Sequence, residues 1–365
     1  MASRFTLKHK YGFTDEEIDL IHTFGHQSND IEKRYLSAYN FKKLRRHLDD
    51  SSWRSIVHNK WISVNFLNSV GISTPRFYGL LHPIMGSTIE NESLRNSEDL
   101  QALISKHKLH SFVIKHIGSG VGSNVYVIER VVEGNGTTML IDITGRKFDV
   151  NKFDSMLGKE SGRLQGFLVE ERVGTHKGLK KLSGDGLTSI RINTLIDSSG
   201  KSNVQLSFLR LGMPKKATDH SVNGGIMVPI DSLTGELKKA LDLSNQKWLS
   251  NHPLTGSKLE GEVIPNWNEV VSIANNAAEK CTGLRWVGWD VVLSNEGPVI
   301  LEGNVGVNVS IYQLLFGGFL ENGVFEEWKD ELGLSLPEGS LLWSIYRKDV
   351  RRLLKPKFSL QNPKI

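Results

Sequence analysis

Two textures of apolar and polar residues divide the chain. Over residues 15–69, apolar positions recur at three- and four-residue intervals, as in IEKRYLSAYNFKKLRRHL, and this spacing predicts mainly helix. Thr14-Asp15-Glu16-Glu17 is a capping sequence for the first of these helices. A further helix is expected from about Ser55 to Ser69, closed by Gly71 and Pro75. From residue 111 the pattern changes to short apolar runs and alternation. SFVIKHIGSGVGSNVYVIE (111–129) reads as strand, Gly/Ser loop, strand. TMLIDITG (138–145), GFLVEERV (166–173) and GGIMVPID (224–231) read as more strands. TSIRINTLID (188–197) alternates strictly, with Ile190, Ile192 and Thr194 on one face and Arg191, Asn193 and Leu195 on the other. VQLSFLRLG (204–212) follows a Ser-Ser-Gly turn, so the pair is predicted to be an antiparallel hairpin. A helix over 266–280 precedes a last hairpin, GLRWVGWDVVL and GPVILEGN. Strands with interspersed helices and several hairpins indicate an α+β fold, not a doubly wound parallel sheet.

That last hairpin poses a charge problem. Its strands are apolar, yet they carry Asp290, Glu302 and Asn304. An ionised carboxylate buried alone is costly, so such groups are paired, protonated or metal-bound. Taking Asn295-Glu296-Gly297 as a three-residue turn sets Asp290 opposite Glu302, with Asn304 on the same face as Glu302. Three oxygen donors then converge. Hard oxygen ligands without His or Cys suit Mg²⁺, or Mn²⁺ in its place; a structural ion pair with a nearby arginine is the other reading.

Other positions carry weaker signals. Gly118, Ser119, Gly120, Val121, Gly122 and Ser123 form a small-residue loop whose backbone N–H groups can approach phosphate. It lacks the Gly-Lys-Ser/Thr of a Walker A loop. Lys115 stands on the strand before it among Phe112, Val113 and Ile114, where a lysine is unusual. Glu170 and Glu171 end an apolar strand, followed by Arg172 and Val173, a place where adenine and ribose can be recognised. His176, His220 and His252 lie in motif-like loops and are candidates for substrate contact; solvated loop histidines are the plainer reading.

Composition excludes more than it assigns. The single cysteine, Cys281, rules out an internal disulfide and a thiolate zinc cluster. MASRFTLKHK has no apolar core of a signal peptide, and no run of about 18 apolar residues is present, so a cytoplasmic protein is expected. The net charge of +5 is concentrated at one end: residues 347–365 hold seven Lys/Arg against Asp349, and the rest of the chain is close to neutral. The body is therefore not a nucleic-acid binder. LLWSIYRKDVRRLLKPK (341–357) mixes apolar and basic residues, the composition of a segment that rests peripherally on an anionic membrane or docks on glycan-assembly proteins; a solvated terminus is the plain alternative.

Taken in order, these pieces resemble the ATP-grasp superfamily. Lys60, followed by a helix and VGISTP, is similar to its first nucleotide lysine, Lys115 to the second, GSGVGS to the mobile glycine-rich loop, LVEERV to the adenine and ribose hinge, and Asp290, Glu302 and Asn304 to the magnesium triad. SIRINTLID, FLRLGMPKKATDHSVNGGIMVPID, HPLTG, IPNW, VGWD and EGN resemble the branch called sugar-transfer associated ATP-grasp proteins. The resemblance implies two α+β subdomains clasping ATP, with Lys60, Lys115, the 118–123 loop, Glu170, Glu171 and Val173 around the nucleotide. It divides the chain into a helical region to 54, a linking segment over 55–110, a lid over 111–175, a metal-bearing part over 176–335 and a basic tail over 336–365. It implies an ATP-dependent ligase that activates a carboxylate as an acyl phosphate and joins it to an amine. The branch suggests a uronic acid of a sugar nucleotide or glycan and an amino acid or small amine, in polysaccharide or capsule assembly. A phosphotransferase of the same fold and a non-catalytic nucleotide-binding component remain open. One departure stands out: several amide-forming members carry an arginine two residues before the metal aspartate, where this chain has Gly288. Arg191 and Arg210 are candidates for that role, and Asn193, Asn223, Gly224 and Gly225 for the acceptor site.

Overall fold

The computed structural model describes residues 2–25, 30–118, 124–134, 137–160, 165–184, 186–214 and 225–331. Two compact units are present. The larger, Asp49–Ile196 with Ser202–Val307, carries every described residue of the candidate site.

The smaller unit is helical and assembles from the described residues of 2–48, Asp197–Lys201 and 308–331. It holds α1 (Arg4–Tyr11), α2 (Asp15–Phe24), α3 (Ile31–Arg34) and α4 (Ala38–Leu48). The capping box at Thr14 forms as expected, the Glu17 N–H donating to the Thr14 hydroxyl and the Thr14 N–H to the Glu17 carboxylate. The other Glu17 oxygen accepts from the Ala38 N–H and the Ser310 hydroxyl, so one carboxylate caps a helix and joins distant stretches of chain. Leu7, Phe13, Ile18, Ile21, Ile31 and Tyr35 form one of its core clusters.

The larger unit opens with α5 (Ser55–His58) and α6 (Lys60–Ser69). The expected single helix over 55–69 is broken at Asn59. Its side-chain oxygen accepts from the Trp61 and Ile62 N–H groups, a cap that starts a new helix. The break makes Lys60 the first residue of α6 and frees its N–H to donate to the Ile117 carbonyl.

The first sheet is formed by β1 (Phe77–Leu81), β2 (Ser87–Thr88), β3 (Phe112–His116), β4 (Val125–Gly134), β5 (Thr137–Asp142), β6 (Lys147–Asp149) and β7 (Phe167–Glu171), in the order β2-β1-β7-β3-β4-β5-β6. Helices α7 (Ser97–Lys106) and α8 (Lys152–Glu160) supply Leu100, Leu103, Ile104, Phe153 and Leu157 to its core, against Phe112, Ile114 and Phe167.

After α9 (Lys177–Ser183) comes the second sheet: β8 (Thr188–Ile196), β9 (Ser202–Leu211), β10 (Ile226–Ile230), β11 (Ala240–Asp242), β12 (Lys247–Leu249), β13 (Trp286–Ser294) and β14 (Gly297–Asn304), ordered β12-β11-β10-β9-β8-β13-β14. Every pairing in both sheets is antiparallel, which accords with α+β. Helix α10 (Trp267–Lys280) lays Val270, Ala274, Ala277 and Ala278 on one face of this sheet, against Ile190, Ile192, Leu209, Val287 and Val291. The three- and four-residue spacing makes one stripe, and its alanines let helix and sheet approach closely. The opposite face of β8, β9, β13 and β14 carries the polar groups. α11 (Val309–Phe316) and α12 (Val324–Glu331) return the chain to the helical unit.

Cys281 closes the α10 stripe, fully buried, and burial pushes its thiol up to about 12. The folded protein is therefore expected to show no thiol reactive towards a disulfide reagent near neutral pH, and one in denaturant; rapid modification of the native protein would contradict this core packing.

Candidate functional site

The last hairpin turns on two residues, Asn295 and Glu296, not on three. Ser294 pairs with Gly297, and the register continues to Val291 opposite Ile300. The Ser294 hydroxyl accepts from the Glu296 N–H and donates to the Gly297 carbonyl, which tightens the turn. A bulge then leaves Leu301 unpaired, and Asp290 stands opposite Glu302, with Gly288 opposite Asn304. This bulge decides which way Glu302 points. In a regular strand Glu302 would share the core-facing side of Ile300; the extra residue turns it to the other face, beside Asp290.

Asp290 is buried and lies between two arginines. Arg191, directly opposite on β8, donates from Nε to Oδ1 at 2.5 Å and from Nη2 to Oδ2 at 2.9 Å. Arg210, on β9, reaches Oδ1 with Nη2 at 2.6 Å and gives its Nε hydrogen to the Ser189 hydroxyl at 3.0 Å. Asn304 Nδ2 bridges the two acids, 3.2 Å from Asp290 Oδ2 and 3.3 Å from Glu302 Oε1. Burial alone raises the Asp290 pKa, but the two guanidinium groups outweigh it and hold the carboxyl at about 2. The hairpin of β8 and β9 thus brings both candidate arginines onto one carboxylate. Gly288 explains how Arg191 fits: a Cβ there would lie 3.1 Å from Arg191 Cδ and 3.3 Å from its Nη1. The guanidinium arm occupies the space a side chain at 288 would fill.

Two lysines complete the set. Lys60 extends from the first turn of α6, its Nζ 3.5 Å from Glu302 Oε2. Lys115, on β3, pairs with Glu170 of β7 at 2.7 Å, both nine-tenths buried or more. Burial raises the pKa of Glu170, and Lys115 works against that rise. Glu171 is otherwise engaged: it accepts from the Arg76 N–H at 2.7 Å while its own N–H donates to the Arg76 carbonyl, so it clamps β1 to β7. Val173 follows the end of β7, half-buried. Gly118 is held by its N–H to His116 Nδ1 at 3.2 Å. Ser119, Gly120, Val121, Gly122, Ser123, His220, Asn223 and Gly224 lie outside the described residues, as does the basic tail. Gly225 immediately precedes β10, whose Met227 pairs with Arg210. His176 and His252 serve as turn caps, accepting backbone N–H groups at Nδ1.

The sequence reading missed Asn59, whose cap positions Lys60; Asn before an apolar helical run was the available signal. It also missed Ser189, which orients Arg210 and bears no signal beyond its place on the alternating strand.

The model of the sugar-transfer associated ATP-grasp family matches residues 39–324. The chain belongs to this family. The ATP-grasp fold has remote solved counterparts. An L-amino acid ligase from Bacillus licheniformis is 12% identical with a TM-score of 0.38, over 72% of this chain and 43% of that one. A D-alanine–D-alanine ligase from Bacillus anthracis is 14% identical with a TM-score of 0.39, over 78% and 69%. The ATP-grasp ligase PsnB, in a complex with Mg and ADP, is 12% identical with a TM-score of 0.38, over 78% and 62%. The chain thus spans less than half the length of the first of these. No curated protein matches the chain. Among the described residues, no helix is long and apolar enough to cross a membrane.

In this ATP-grasp chain the donor chemistry suits a nucleotide with Mg²⁺. Among the described residues no group of three or more His, Cys, Asp or Glu is placed to hold a metal. Two carboxylates and an amide instead meet at one patch, and Mg²⁺ is commonly held by one or two carboxylates with phosphate oxygens supplying the rest. Glu302, 30% exposed and in the longest of these ion pairs, has the most accessible oxygens. Lys60, Lys115, Arg191 and Arg210 outnumber Glu170, Asp290 and Glu302 by one positive charge, which favours an anionic ligand.

Two predictions test this electrostatic design. Asp290→Asn leaves two buried arginines without their anion, and a stability loss of about 3 kcal/mol is expected in chemical denaturation; a loss under about 1 kcal/mol would contradict it. In the native protein this stabilisation is complete above the ordinary carboxyl pKa of 3.8 and is lost as pH falls through about 2. Glu170 behaves oppositely. Its folded pKa lies above the ordinary 4.5, so it takes stability away as pH rises from there. Lys115→Met removes the cation that limits this rise. The variant should lose more stability at about pH 8 than at about pH 5 by urea midpoint; an equal loss at both would refute the pairing.

Proposed function

We propose that the protein is an ATP-dependent carboxylate–amine ligase. The acid in this reading is a uronic acid of a sugar nucleotide or glycan, and the nucleophile an amino acid or small amine. The observation that carries the reading is the convergence of Lys60, Arg191, Arg210, Asp290, Glu302 and Asn304 on one patch, with the Lys115–Glu170 pair in the same unit. Phosphoryl transfer asks for positioning and charge neutralisation rather than covalent help, and these residues supply both.

The chemistry is a two-step displacement. A carboxylate oxygen of the acid attacks the γ-phosphorus of ATP and ADP leaves, giving an acyl phosphate. The amine then attacks the acyl carbon, phosphate leaves, and the nitrogen loses a proton. Lys60 and Lys115 bind along the phosphates. Asp290, Glu302 and Asn304 would hold Mg²⁺, which when bound neutralises phosphate charge. Arg191 and Arg210 are placed to stabilise the transferring phosphoryl group and the developing charge on the acyl oxygen, the role left open by Gly288. Asp290 aims both guanidinium groups before any substrate arrives, so their orientation is settled ahead of reaction.

A product screen tests this. Purified protein, Mg²⁺ and ATP are offered UDP-linked uronic acids with pooled amino acids and simple amines, and products are read by mass spectrometry. ADP, free phosphate and a new mass equal to acid plus amine minus water are expected. Asp290→Asn should lower their formation by about 100-fold or more. A phosphorylated sugar without free phosphate would replace the ligase with a kinase.

A further inference from the structure

Asn193 has an unmet demand. It is fully buried, and neither its Nδ2 nor its Oδ1 has a hydrogen-bond partner among the described residues. The large majority of buried side-chain polar atoms are satisfied, because an unmade bond leaves the whole desolvation cost. Its neighbours on the described strands explain why none of them supplies a partner. Opposite on β13 is Gly288, which has no side chain, and opposite on β9 is Leu206. Along β8 its same-face neighbours are Leu195 and Arg191, whose guanidinium lies on Asp290. The register shifts beside Asn193, and the Gln205 oxygen near this irregularity accepts from Trp286 Nε1 at 2.8 Å. Asn193 Nδ2 lies 3.2 Å from the point a Cβ at 288 would occupy, beside Arg191 Nη1. The amide therefore rests over the glycine, next to the arginine assigned to the transferring group.

We propose that Asn193, lying over Gly288, recognises the acid substrate through an uncharged hydroxyl, so that the acid is of the polyhydroxylated sugar type and not an amino acid. This rests on the ligase reading and adds to it the residue that selects the acid. A hydroxyl donates and accepts, as the Asn193 amide does. An ammonium group only donates and calls for a carboxylate; the acid nearest in register, Asp290, is already ion-paired with two guanidinium groups. Further along this face Leu195, Leu206 and Trp286 are buried and carry no charge. Asn193 is two residues from Arg191, about 7 Å along a strand, within reach of a six-carbon acid whose carboxylate lies at the arginine.

The full chain, with Mg²⁺ and a non-hydrolysable ATP analogue, is titrated with D-glucuronate and with hexanoate by calorimetry. The variant is Asn193→Leu, which keeps the branched shape and the number of heavy atoms and removes both polar atoms. Wild type is expected to bind glucuronate about tenfold or more tightly than hexanoate, and the variant to bind the two alike. Affinity for the nucleotide analogue should be unchanged, and the thermal midpoint equal to or above that of wild type, because an unpartnered amide has been replaced by an apolar group. A second variant, Asn193→Asp, adds an acid and should move preference towards L-glutamate. The proposal is overturned if wild type shows no preference, if Asn193→Leu retains it, or if that variant melts lower and loses nucleotide binding, as a structural residue would. Hydroxamate formation from each acid with MgATP and hydroxylamine separates the two readings. Binding preference lost in the variant, with no hydroxamate from wild type, keeps the recognition and removes the ligase. Equal hydroxamate from glucuronate and hexanoate keeps the ligase and removes the recognition.

Discussion

The buried contact between Asp290 and the guanidinium groups of Arg191 and Arg210 sets the terms for the rest of the site. Taking each ion from water costs several kcal/mol, and one carboxylate shared by two cations leaves the cluster net positive. Attraction inside the sheet holds Asp290 ionised down to about pH 2 against the burial that opposes ionisation. An arrangement of this kind is poor as a stability device, since an apolar group of similar volume is often as good or better. It makes sense as preorganisation: the cations are aimed and desolvated before an anionic ligand binds.

The architecture follows from placing that cluster. Antiparallel pairing sets β8, β9 and β13 side by side, so Arg191, Arg210 and Asp290 come from three adjacent strands and share one face. The alanine stripe of α10 occupies the opposite face, which keeps the apolar core away from the charges. The bulge at Leu301 brings Glu302 across to Asp290, and the Asn59 cap starts α6 so that Lys60 meets Glu302. Each is a local interruption of regular structure, and each re-aims one charged side chain.

Much of this was legible in the chain. Alternation in TSIRINTLID separates Arg191 and Asn193 from Ile190 and Ile192, and the fold keeps that separation. The facing of Asp290 and Glu302 was also legible, but by a different route. A three-residue turn and a two-residue turn with a bulge give the same pairing at that point, and a one-residue irregularity has no periodic signature. Helix continuity over 55–69 was misleading because apolar spacing passes through Asn59; the cap's preference for a helix start prevailed over the pattern. The use of Glu171 on the Arg76 backbone was not readable, since it depends on β1 lying beside β7, a contact nearly a hundred residues apart.

Gly288 makes room for both polar side chains that β8 sends across β13. A glycine inside a buried strand gives up side-chain packing and costs about 0.5–1 kcal/mol in chain entropy relative to alanine. Here that cost has a specific return in space. A Cβ at 288 would stand 3.1–3.3 Å from Arg191 and Asn193, tighter than side chains ordinarily tolerate, so any larger residue must displace one or both. The glycine therefore lets two polar side chains of β8 lie flat across β13, one on the buried carboxylate and one whose amide has no partner among the described residues. An arginine delivered from β8 approaches Asp290 sideways through two parallel hydrogen bonds, whereas one rooted at 288 would rise from the same strand as the acid itself. The sideways arm is fixed at two of its three nitrogens, which is the property a residue needs if it is to hold its position while charge moves past it.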